Sequence, residues 1–166
     1  MSSLFESYLR QRDLRNFQRS QELTIAAQLS AVDEQVRRLL SRDGCSPAEL
    51  ARSDYLHHYL VGILDAITSF YERETRKRLG LELYRDVFVR YLGNRFLVPR
   101  REAEALFAAV GAEPQHSGMR DGYADGLQAL RGGTPRRLLD CYARRGTAVE
   151  SVAMMTGFSV AVAATA

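Results

Sequence analysis

SPAELARSDYLHHYLVGILDAITSFYERETRKRLG, residues 46–80, decides the fold. Ser46 can cap free backbone amides, Pro47 suits the first helical position, and Glu49 can return a bond to the cap residue, so a helix begins here. Leu56, Leu60, Ile63, Ile67 and Phe70 then recur in steps of 4, 3, 4 and 3. That is the heptad spacing of a helix laying one stripe along another helix. Arg76, Lys77 and Arg78 make a basic last turn before Gly80, both features of a helix C-terminus.

Toward the N-terminus the same spacing returns. Residues 3–42 contain no proline or glycine, and Ile25, Leu29, Val32, Val36 and Leu39 again step by 4, 3, 4 and 3. Leu4, Phe5, Tyr8, Leu9, Leu14 and Phe17 precede them less regularly, and Asp43 and Gly44 supply the stop. Two matched stripes joined by a short turn predict a long antiparallel helical hairpin over residues 1–80. Unbroken arms of this length span about 60 and 50 Å. Such a hairpin cannot bury both sides alone. Ile25, Leu29, Val32, Val36, Leu56, Leu60 and Ile63 are therefore the candidate contacts for a helical partner or a second copy.

From residue 81 the apolar pieces shorten. Leu83, Val87, Tyr91 and Leu92 mark a helix ending near Gly93 and Asn94, and Glu102 to Val110 another ending at Gly111. GAEPQHSG reads as a loop. Residues 117–130 form a further helix with Met119, Tyr123, Leu127 and Leu130 on one side; Thr134 and Pro135 open the next, through Leu138, Leu139 and Tyr142. Thr147 with Glu150 forms a second capping box before the apolar segment 147–166. No strand alternation is visible. The chain thus reads as all-α: a hairpin (1–80), a short-helix bundle (81–146) and an apolar C-terminal segment (147–166), with four to six shorter helices after the hairpin, folding as one cooperative domain.

Within the 117–130 helix, Gly118, Gly122 and Gly126 lie four apart and share one face. Three glycines give up about 2–3 kcal/mol of helix propensity against alanine, so the groove they form is expected to admit another backbone, from this chain or a partner. Asp121, Asp125 and Gly126 match three positions of a calcium-binding loop. Tyr123 and Gly132, however, stand where oxygen ligands are required, which excludes that site. A di-iron helical bundle needs Glu-x-x-His twice, whereas Asp54-x-x-His57 occurs alone. One of His57 and His58 is expected along the stripe beside Tyr59 and the other in water, with His116 in the loop. Ser159 in GFSVA lacks the second glycine of a nucleophile elbow, neither Cys45 nor Cys141 has an activating neighbour in sequence, and no phosphate-cradling glycine loop exists. No catalytic residue, metal, cofactor or small-molecule substrate is expected.

Composition fits a packed globular chain, with 46% hydrophobic and 26% charged residues and a net charge of +3. The charge is spread evenly along the chain, so global electrostatics do not select nucleic acid. The basic residues are 22 arginines and one lysine, a skew expected from a GC-rich bacterial genome. Two cysteines without CxxC spacing suit a reduced cytoplasmic setting. Glu6, Arg10 and Arg12 interrupt any export signal, and residues 151–166 span about 24 Å as a helix, short of the bilayer's hydrocarbon thickness, so no membrane span is expected.

One local cluster stands out. Arg131, Arg136, Arg137, Arg144 and Arg145 face Asp140 alone, and just beyond them comes VAMMTGFSVAVAA. This pattern, with Ala153 inside the first helix, Gly157 at the turn, then Phe158 and Ser159, resembles the helix-turn-helix of the lactose-repressor type of bacterial regulator over about 20 residues. The resemblance implies that Ser159 caps a DNA-reading helix while the arginines contact phosphate. It departs from the pattern at Val160, Ala161, Ala163 and Ala164, where side chains able to reach base edges are needed. The leading expectation is a non-enzymatic helical interaction module, an adaptor, chaperone-like or assembly subunit. A DNA-associated regulator is the alternative.

Overall fold

The computed structural model describes residues 29–30, 32–41, 45–75 and 81–144. Ile25, Arg145, Ser159 and the helix-turn-helix-like segment lie outside the described residues. All regular structure among the described residues is helical, with no strand. No helix there is long and apolar enough to cross a membrane. The helices are α1 (32–40), α2 (Pro47–Ala51), α3 (Asp54–Thr75), α4 (Leu81–Phe96), α5 (Arg100–Ala112), α6 (Ser117–Leu130) and α7 (137–144).

The start expected at Ser46 is present in full. Its hydroxyl accepts from the Glu49 N–H, the Glu49 carboxylate accepts from the Ser46 N–H at 2.8 Å, and Pro47 opens the helix. That helix does not continue through residue 80 as one arm. It stops at Ala51, and α3 begins at Asp54 with the Ser53 hydroxyl accepting from the Leu56 N–H at 3.2 Å. A second local cap divides the expected arm ahead of the heptad stripe, which lies wholly within α3. Leu56, Leu60, Ile63 and Ile67 are buried, whereas Phe70 is partly exposed.

The α1 stripe is buried as well. Leu29, Val32, Val36 and Leu39 join the same core as Leu56, Leu60 and Ile63, completed by Phe88 and Leu92 of α4, Ala103 of α5 and Leu138 of α7. Polar bonds fix α1 on both sides: the Tyr91 hydroxyl donates to Asp33 at 2.9 Å, and Gln35 Nε2 donates to the Tyr59 hydroxyl at 2.8 Å.

Among the described residues, α3 and α6 pack backbone against backbone. A methyl group added at Gly122 would overlap the Tyr59 carbonyl oxygen, one at Gly62 the Met119 carbonyl, and one at Gly118 would lie 2.6 Å from the Tyr55 carbonyl. Gly126 faces Ile63 and Ala66. The paired positions rise together, so the two helices run parallel. The chain returns between them through α4 and α5, which pack on each other. Gly118, Gly122 and Gly126 are thus buried against α3 of the same molecule.

Candidate functional site

Parallel packing of α3 and α6 places both helix N-termini at one end of the bundle, and the chemically rich side chains gather there. Asp54 opens α3, and His116 is the cap residue of α6. His116 Nδ1 accepts the Gly118 N–H at 3.0 Å, which in the neutral ring leaves the proton on Nε2, 3.4 Å from an Asp54 carboxylate oxygen. His58, one turn along α3, donates from Nδ1 to the Asp54 backbone carbonyl at 2.9 Å; the same nitrogen lies 3.3 Å from the other Asp54 oxygen. The two imidazoles stack with centroids 4.0 Å apart and planes 25° from parallel.

Exposure is graded across the cluster: the Asp54 side chain is 69% exposed, His116 23% and His58 2%. His58 Nε2 is buried and finds no hydrogen-bond partner among the described residues. One donor atom from each of Asp54, His58 and His116 lies within 4.8 Å of the others.

Beside this cluster a ladder of tyrosines and aspartates crosses the α3–α6 seam. Tyr55 donates to Asp121 at 2.7 Å and Tyr59 to Asp125 at 2.6 Å, each pair one helical turn from the next. Burial, reinforced by the carboxylates, pushes both hydroxyls well above the ordinary tyrosine range, so they stay donors. Asp125 is fully buried. The Asp125 oxygen that accepts the Tyr59 hydroxyl bond also accepts the Arg137 backbone N–H at 2.9 Å, and its second oxygen lies 3.4 Å from the Arg137 guanidinium, an ion pair longer than a hydrogen bond. Arg137 reaches Asp121 at 3.7 Å. Gln35 completes the network, receiving the Leu139 N–H at 3.4 Å. The ladder therefore ties α1, α3, α6 and α7 together at their polar atoms.

Several expectations change here. His57 and His58 are both buried, so neither faces water; His57 donates from Nε2 to the Ala51 carbonyl at 2.8 Å and sets its ring edge against Phe88. His116 is a helix cap and not an isolated loop residue. Asp121 and Asp125 lie in a helix and bind tyrosines and an arginine. Arg131, Arg136 and Arg144 are exposed. Arg137, grouped with them by sequence as a phosphate contact, is half exposed, but its guanidinium lies 3.4 Å from Asp125 and 3.7 Å from Asp121. Leu29, Val32, Val36, Leu56, Leu60 and Ile63 lie in the core of one molecule.

Sequence reasoning missed the Asp54–His58–His116 cluster because its members join only once α6 lies parallel to α3. The matching Tyr55/Tyr59 and Asp121/Asp125 spacings were the available signal for that register. The fold and site define an all-helical protein organised around a glycine-seamed, parallel helix pair with a polar end. Comparison with known protein families, curated proteins and solved structures finds no match.

Proposed function

We propose that the chain is a non-enzymatic helical interaction module that docks on a helical partner or a second copy through Leu97 and the α4 surface beside it. The observation that carries this is Leu97 itself. It is 86% exposed and sits at φ 58°, just past the end of α4, where the Leu97 N–H donates to the Gly93 carbonyl at 3.1 Å and the Val98 N–H to the Leu92 carbonyl at 3.4 Å. This helix ending favours glycine; a leucine there costs about 1 kcal/mol, and burial within the molecule does not offset it. A partner that covers Leu97 supplies the missing compensation.

The surroundings suit an anchor. A groove of about 260 Å³ next to Leu97 combines Val89 and Val98 with charged Asp86, Arg90 and Arg100, and one of about 210 Å³ adjoins it through Arg90 and Asn94, with Leu29, Val87 and Tyr91 beside Asp33. Of the two apolar seams, Leu29, Val32, Val36, Leu39, Leu56, Leu60, Ile63 and Ile67 are buried in the core, and Phe70 at the end of α3 is exposed. The DNA-associated alternative ranks second, because Arg137 is committed to Asp121 and Asp125.

Leu97→Gly separates stability from binding. Sedimentation of the wild-type chain over a range of concentrations is expected to show self-association that the variant weakens at least tenfold, while the variant melts no lower. If the partner is a different protein, a photo-crosslinker at position 97 gives one discrete adduct in the native host and a crosslinker at exposed Glu113 does not. A chain monomeric throughout and without a position-97 adduct overturns the proposal.

A further inference from the structure

We propose that Asp54, His58 and His116 form a binding site for a divalent transition-metal ion of the zinc type, with two imidazole nitrogens and one carboxylate as protein ligands. The donor set is the first argument. Two nitrogens and one oxygen suit zinc over magnesium or calcium, which take oxygen ligands, and three protein ligands leave a position for water.

Distance is the second argument. Asp54 Oδ1 lies 3.3 Å from His58 Nδ1, and Asp54 Oδ2 lies 3.4 Å from His116 Nε2. Charge-assisted hydrogen bonds between nitrogen and carboxylate close to about 2.7–2.9 Å. Bonds of about 2.0–2.1 Å from a tetrahedral zinc to its ligands set neighbouring ligand atoms about 3.3–3.4 Å apart. Each separation thus matches one edge of a metal shell better than a charge-assisted hydrogen bond. Because the two end on different Asp54 oxygens and the rings are stacked, loading requires the exposed Asp54 side chain to turn and the His116 ring to tilt so that one oxygen and both ring nitrogens meet the ion. Access is the third argument, since Asp54 and His116 reach solvent while His58 forms a buried floor.

Proton placement defines what loading changes. An ion bound by His58 Nδ1 and His116 Nε2 moves each ring's proton to its other nitrogen. For His58, loading gives up the Nδ1–H bond to the Asp54 backbone carbonyl at 2.9 Å and places the proton on buried Nε2, which has no acceptor among the described residues. For His116 it is Nδ1, which now accepts the Gly118 N–H and would give up that bond. Metal binding is thereby coupled to the first turn of α6. The positive ends of two helix N-termini also face the site and oppose a cation, so affinity is expected in the micromolar range and not the nanomolar.

The test titrates Zn²⁺ and Co²⁺ into the tag-free full-length chain. One ion per chain is expected, with a visible Co²⁺ spectrum displaced by Zn²⁺ and a Gly118 amide resonance that moves on loading. Asp54→Ala, which removes a largely exposed side chain, and His116→Ala are each expected to weaken binding by about 100-fold or more. A Cys45→Ser/Cys141→Ser double variant is expected to bind as the wild type does. No binding below about 1 mM, binding undiminished in Asp54→Ala and His116→Ala, or binding lost with the cysteines overturns the site.

Discussion

Burial holds the His57 imidazole below its ordinary protonation range, because a charged ring in the α3 core loses hydration that the Ala51 carbonyl and nearby Asp54 only partly replace. The ordinary value is 6.5. Below it the unfolded chain binds more protons at this position than the folded chain, so stability is complete above that pH and falls as the pH drops toward the lower folded value. Urea midpoints are therefore expected to be lower at about pH 5.5 than at about pH 7.5, and His57→Gln, whose amide can still donate to Ala51, is expected to flatten that difference. Leu97 acts in the opposite sense. Releasing its left-handed backbone with Leu97→Gly is expected to stabilise the fold by about 0.5–1 kcal/mol, a rise of roughly 1–4 °C in Tm. No decrease in Tm is compatible with the strain assigned to it.

Between elements, glycines decide how closely helices approach, and identical substitutions should have opposite signs. At Gly122 a methyl group meets the backbone of Tyr59, which cannot turn aside as a flexible side chain can. Gly122→Ala is expected to cost at least about 3 kcal/mol or to prevent folding, as overpacking against backbone does. Gly111, near the end of α5, has nothing within 4 Å of the added group, so Gly111→Ala is expected to stabilise by about 0.4–1 kcal/mol. Chemical denaturation of the pair checks both signs. The four-residue glycine spacing was legible in the sequence as a close-approach face, and so were the Ser46–Glu49 cap and the Ser117–Leu130 helix. The break at Ser53 was not, because the apolar stripe begins only at Leu56, beyond the break, so its periodicity carries no information about the three residues before it. Nor did the 4-3 spacing reveal that the seams close within one molecule: it fixes which face is apolar, and what covers the face depends on contacts distant in sequence.

For the whole molecule, the tyrosine–aspartate ladder determines how α7 closes over the bundle, and its two charges should respond unequally to removal. Asp125 is fully buried, whereas the Arg137 side chain is half exposed. Asp125→Asn keeps the shape and an oxygen for Tyr59 and the Arg137 N–H, and it leaves a guanidinium that water can solvate, so a loss of about 1–2 kcal/mol is expected. Arg137→Ala leaves a buried carboxylate without its cation, for which the scale is about 3–5 kcal/mol, reduced here because Tyr59 and the residue-137 backbone N–H still donate to it. The expected order is therefore Arg137→Ala more destabilised than Asp125→Asn, by equilibrium denaturation. Arg136→Ala, at an exposed position, should leave stability within about 0.5 kcal/mol of the wild type. The same set separates architecture from nucleic-acid contact. If the arginines bind phosphate, Arg136→Ala reduces the salt dependence of retention on a DNA matrix without changing stability. If Arg137 is structural, its variant loses stability whether or not the chain is retained at all. Equal stability of the Arg136→Ala and Arg137→Ala variants would remove the structural role of Arg137 and return it to the exposed cluster.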